Sequence, residues 1–167
     1  MTQLLRDMEA RLAACVEAPV ALARRQGVTV EVVTSFPAAT QPGLPAPIPP
    51  ALPVPEAASG PSANPDDLLP LLKVATAVVG EALGNTARHA GPTRAVVRAA
   101  VEDGWLRVSV VDSGPVAGWI PRDGTGTGLR GLRERVEACG GTLLVGPRLD
   151  AEGFAVEARL PLEERYA

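Results

Sequence analysis

Val79-Gly80-Glu81-Ala82-Leu83-Gly84-Asn85-Thr86-Ala87-Arg88-His89-Ala90 is the stretch on which the reading of this chain turns. Written as a helix, it puts Glu81, Asn85 and Arg88 at i, i+4 and i+7, on one face. Val78, Val79, Ala82, Leu83 and Ala87 are then placed to pack on a sheet. An ordinary solvated helix shows the same stripe, so the segment alone decides little. Two further blocks change its weight. Asp112-Ser113-Gly114 closes a strongly apolar run. A carboxylate at a strand end can accept a hydrogen bond from an exocyclic amine such as that of adenine, although Asp is also a frequent turn residue. Gly124-Thr125-Gly126-Thr127-Gly128-Leu129 precedes a helical pattern. Glycines let the backbone approach a ligand closely, and the N–H groups of a helix start suit phosphate oxygens. The Gly-Lys-Ser/Thr ending of a Walker loop is absent. A helix and two glycine loops in this order describe a nucleotide site.

The bulk numbers bound the rest. The 167 residues suggest one domain with a tail or insertion, and aromatics at 3% leave Leu, Val and Ala to fill the core. A net charge of −3 gives no electrostatic case for nucleic acid. No run approaches the ~18 apolar residues needed to cross a membrane. The start, Met1-Thr2-Gln3-Leu4-Leu5-Arg6-Asp7, lacks the basic end and apolar centre of a signal peptide. Cys15 and Cys139 lie in no CxxC and read as two buried thiols in a reducing compartment. With His89 the sole histidine, a zinc site is not expected.

Periodicity places the elements. Leu4, Leu5, Met8, Leu12, Cys15 and Val16 argue an amphipathic helix over residues 2–25, stopped by Gly27. Residues 28–33 alternate as a strand. Residues 36–66 hold ten prolines in 31 positions, which blocks helix interiors and central strands. They read as a mobile, partly polyproline II excursion. A helix is expected from about Asp67 to Ala90, with Pro70 in its first turn and Gly91-Pro92 at its end. Strands at 96–101 and 106–111 follow, joined by a hairpin at 102–105. Thr127 is placed to cap a helix running to Ala138 or Cys139, before last strands at 142–145 and 154–160. The expected fold is a two-layer α/β sandwich, a mixed sheet with helices on one face.

The three blocks, in this order within about 50 residues, resemble the N, G1 and G2 boxes of the gyrase–Hsp90–histidine kinase–MutL (GHKL) ATPases, the Bergerat fold. The nearest resemblance is to the ATP-binding domain of NarL/DesK-type sensor histidine kinases. Its N box is similar to Glu81-Ala82-Leu83-x-Asn85-x-x-x-His89-Ala90, and its G2 end to Gly126-Thr127-Gly128-Leu129-x-Gly131-Leu132-Arg133-Glu134-Arg135-Val136. Gly140-Gly141-Thr142-Leu143 and Arg159-Leu160-Pro161-Leu162 also match. The resemblance implies ATP and Mg²⁺ as cofactors. It implies Asn85 as Mg²⁺ ligand, Glu81 as a base or water-orienting acid near the γ-phosphate, and Arg88 or His89 neutralising phosphate charge. It implies Asp112 on the adenine amine, Gly114 shaping the pocket, and Gly124, Gly126, Thr127, Gly128 and Leu129 around the phosphates. Two departures stand out. Val116 sits where the Asp-x-Gly-x-Gly pattern has its second glycine, and the 36–66 insertion is longer than expected.

The expected organisation is a linker helix and first strand (1–35), the proline-rich loop (36–66), the ATP-binding core (67–162) and a tail (163–167). A phosphoacceptor histidine on a dimerisation helix is missing, so the usual autophosphorylation by this chain alone is not expected. The resemblance implies a cytoplasmic module partnered by a dimerisation and phosphoacceptor domain and, indirectly, a response regulator, with no nucleic-acid or membrane contact of its own. Two other readings stay open: a free-standing ATP-binding regulator of anti-sigma-kinase type, and a degenerate domain acting by protein contacts, which Val116 would favour.

Overall fold

The computed structural model describes residues 2–35, 68–102, 104–124 and 126–162. The proline-rich 36–66 segment and the 163–167 tail lie outside the described residues, and with them the expectations placed there.

Helix α1 spans Thr2–Arg25 and β1 spans Thr29–Ser35. Leu12, Val16, Val20 and Ala23 recur at helical spacing and are buried. Arg24 and Arg25 in the last turn suit the negative end of the helix dipole. Gly27, at φ 93°, turns the chain out, while the Val28 N–H donates back to the Ala23 carbonyl. Pro19 lies inside α1 and has no N–H to offer the Cys15 carbonyl. The Thr76 hydroxyl stands 3.3 Å from that carbonyl instead.

Helix α2 (Leu68–His89) crosses from β1 to the parallel strand β2 (Arg94–Glu102). The hairpin partner β3 is Trp105–Asp112, α3 is Thr127–Ala138, β4 is Thr142–Pro147 and β5 is Phe154–Pro161. The five-stranded sheet has the order β1-β2-β3-β5-β4, antiparallel at every pairing after the first. The strands run one or two residues past the sequence expectation at most ends, because ladder pairing continues beyond the apolar residues that betray them. Pro70 falls in the first turn of α2, where its missing N–H costs no intrahelical bond.

Alternation decides the layers. Val97, Val110 and Val156 are aligned across β2, β3 and β5, and with Ala99, Val108, Ala158 and Leu160 they form one apolar face. That face and all three helices share one hydrophobic cluster. This is the expected two-layer α/β sandwich with a mixed sheet. Helix α2 is the layer's centre, with Val78, Val79, Ala82 and Leu83 at 3% exposure or less. By length and apolarity it also meets the measure of a membrane span, contrary to the sequence expectation. Its packing on α1, α3, β3 and β5 identifies it as a core helix. On the opposite face, Glu157 is buried and accepts from Arg107 at 3.1 Å and Arg159 at 3.0 Å.

Candidate functional site

The last two turns of α2, the end of β3 and the start of α3 enclose a cavity of about 860 Å³. Helical spacing turns Glu81, Asn85 and Arg88 into it while Leu83 faces the core. All the residues singled out from the sequence line this one space: Glu81, Asn85, Arg88, His89, Asp112, Gly114, Gly124, Gly126, Thr127, Gly128 and Leu129. Val110 and Val156 from the sheet and Phe154 give it apolar walls. Val116, the departure from the G1 pattern, is not among the lining residues; its N–H donates to the Ala90 carbonyl at 3.1 Å.

Asp112 anchors one end. It is 6% exposed, and its Oδ1 accepts from the N–H of Gly114 at 2.9 Å and of Phe154 at 3.1 Å. Its Oδ2 lies 3.1 Å from the Thr86 hydroxyl. Such bonds compensate the desolvation of a buried carboxylate. Gly114 takes φ 84°, and Gly153 packs so closely that a Cβ on it would overlap the Asp112 carbonyl. The Gly114 bond is that of an aspartate turn; the bonds to Thr86 and Phe154 reach other parts of the fold and go beyond it.

The start of α3 forms the other end. The expectation that Thr127 caps this helix is corrected. Thr127 is its first helical residue, and the cap position belongs to Gly126 at φ 68°, with no side-chain cap hydrogen bond. The left-handed backbone that turns the loop into the helix suits glycine and not threonine. Gly126 itself has no side-chain oxygen to offer the amides of the first turn. The Glu81 carboxylate sits against Gly128, where a Cβ would overlap it. Arg88 reaches back along α2, its Nη2 bonding Asn85 Oδ1 and standing 3.3 Å from Glu81 Oε1. Two oxygens of the α2 face therefore converge on one positive group. His89 is exposed at the rim.

The segment between β3 and α3 is fastened to the end of α2. The Trp119 indole N–H and the Arg122 N–H both donate to the Arg88 carbonyl, at 3.1 and 3.0 Å. The indole covers Gly91, where any Cβ would collide with the ring, and the Arg122 guanidinium stands 5.9 Å from its centroid. Thr86, Phe154 and Trp119 were not singled out from the sequence. Thr86 and Phe154 give no local signal. Trp119 gives one: it is a tryptophan in an aromatic-poor chain, set in a loop of Gly and Pro.

Solved structures that match the fold include histidine kinases. The blue-light activated histidine kinase EL346 of Erythrobacter litoralis matches with a TM-score of 0.57 at 22% identity, over 95% of this chain and 46% of that one. Full-length ShkA, in complex with AMPPNP, matches with a TM-score of 0.59 at 21% identity, over 96% of this chain and 31% of its own. The nucleotide-free catalytic domain of the histidine kinase ThkA matches with a TM-score of 0.55 at 16% identity, over 90% and 92%. The fold is that of histidine kinase catalytic domains. The chain spans less than half of EL346 and of ShkA, and nearly all of the isolated ThkA domain. No model of a known protein family matches it.

Proposed function

We propose that this chain is the ATP-binding catalytic domain of a sensor histidine kinase, giving the γ-phosphoryl group to a histidine outside this sequence in two-component signalling. The observation that carries the proposal is one cavity joining an amide-fixed, buried carboxylate to a helix start with no side-chain cap. The two ends suit the two ends of ATP. Oδ2 of Asp112 takes the adenine amine, Val110, Val156 and Phe154 flank the base, and the amides near Gly126 and Gly128 take the phosphates.

Asn85 and Glu81 fit a cation, since both already hold the Arg88 guanidinium between them. Asn85 would hold Mg²⁺, which supplies charge neutralisation across the phosphates when bound. Arg88 then leaves Asn85 and pairs with phosphate oxygen. An acceptor imidazole nitrogen forms the new N–P bond as the bond from the γ-phosphorus to the bridging oxygen breaks, with ADP as leaving group. Glu81 steers or accepts the imidazole proton. Positioning and charge account for most of such a transfer, which suits so small a site. The partner in this reading is a dimerisation and phosphoacceptor domain, and the setting is cytoplasmic.

Calorimetric titration with Mg²⁺-ADP tests the proposal. Saturable binding that Asp112→Asn abolishes, with circular dichroism unchanged, is the expected outcome. That variant turns one acceptor oxygen into a donor facing the adenine amine. Absence of binding by the unaltered chain overturns the proposal and returns the reading to a domain that acts by protein contacts.

A further inference from the structure

Asp112 can recognise a base only if its outward oxygen is aimed. Oδ1 is fully used by two backbone amides from separate segments, Gly114 after β3 and Phe154 at the start of β5. Oδ2 is the oxygen left for a ligand. Its donor among the described residues is Thr86 Oγ1 at 3.1 Å, from a side chain 3% exposed on the inner side of α2. The same Oγ1 lies 3.1 Å from the Ala82 carbonyl, one turn back in its own helix. A hydroxyl has one proton to give. The carbonyl already accepts an intrahelical N–H, whereas the carboxylate is charged and makes the stronger bond. The proton therefore goes to Asp112.

We infer that Thr86 is a positioning residue for base selectivity, a deepening that rests on the ATP reading above. With one lone pair of Oδ2 taken by the hydroxyl, the other is left for the cavity. There it accepts from a purine 6-amino group and repels a 6-oxo group. Thr86 does not need to touch the nucleotide to do this. Without the hydroxyl, Oδ2 loses its fixed donor and is met by water, and the orientation that rewards an amine is lost.

The test compares Mg²⁺-ATP with the Mg²⁺ complex of purine riboside triphosphate, which lacks the 6-amino group, by calorimetry on the whole chain. Unaltered protein should prefer ATP by roughly tenfold to a hundredfold, the worth of a hydrogen bond to a charged group. Thr86→Val keeps the shape and should reduce that preference at least about threefold, chiefly by weakening ATP. Thr86→Ser keeps the hydroxyl and should restore it. Thr86→Ala serves in the same comparison if the valine variant does not fold. A merely structural role lowers both affinities in parallel, and a preference kept in full by Thr86→Val or Thr86→Ala overturns this inference alone. Unaltered protein that binds neither nucleotide overturns the ATP reading together with it.

Discussion

Asn85 carries the most exposed commitment at the scale of single residues. Its Oδ1 is held by the Arg88 guanidinium, a cation standing where Mg²⁺ would be held. Asn85→Ala, or EDTA with the unaltered chain, should weaken ADP binding by about 1.5–3 kcal/mol, roughly tenfold to a hundredfold. Calorimetry with and without metal measures this, and unchanged affinity in the variant removes Asn85 from the site. Two glycines of α3 should part company. A Cβ on Gly128 overlaps the Glu81 carboxylate, whereas a Cβ on Gly131 meets nothing within 4 Å. Gly131→Ala should therefore stabilise the fold by about 0.5–1 kcal/mol through helix propensity. Gly128→Ala should displace Glu81 and lower nucleotide affinity. Thermal melts and titrations of the two variants check the contrast; a stabilised Gly128→Ala with normal binding contradicts it.

Among the elements, the connection between β3 and α3 behaves as a cap on α2. In the sequence its glycines suggest backbone freedom and Pro115 and Val116 restrict it. The structure adds a fastening: Val116 bonds the Ala90 carbonyl, and Trp119 and Arg122 bond the Arg88 carbonyl. These carbonyls lie in the last turn of α2 and just after it, where no further helical N–H can satisfy them. Trp119→Ala should speed hydrogen exchange across 116–122 and at the end of α2 in the nucleotide-free protein, while exchange in β3 and β5 stays as it was. Exchange in the variant equal to that of the unaltered chain would show that the indole holds nothing.

Taken whole, the molecule supplies the proposed nucleotide site and a single histidine, His89, at its rim. Incubated alone with labelled ATP, the chain should form no acid-labile, base-stable phosphohistidine. Supplied in addition with the dimerisation domain of its own signalling system, it should label that domain's histidine. Stoichiometric label on His89 would overturn the assignment of the acceptor to another chain. The chain matches 31% of full-length ShkA and 92% of the isolated ThkA catalytic domain, and its one histidine lies at the proposed site, which is why the acceptor is sought outside these residues.

Local chemistry made much of this legible in advance. The 3.6-residue period of α2, the alternation of β2, β3 and β5, and the glycines before α3 each act over a few residues, so they can be read along the chain. That fixed the element order and the sandwich, while the full set of residues that meet around the cavity came from the resemblance to the N, G1 and G2 boxes. Four matters needed the folded molecule. Thr127 was expected to cap α3, but Gly126 holds that place, because the approach of the loop demands a left-handed backbone. Arg88 lies across Glu81 and Asn85, and Thr86 meets Asp112 although 26 residues separate them. Phe154, 42 residues beyond Asp112, gives it the second amide. Contacts of this kind depend on which strands become neighbours. The sheet order β1-β2-β3-β5-β4 puts the start of β5 beside the end of β3. No local propensity encodes that adjacency; it follows from burying one apolar face of the whole sheet beneath three helices at once.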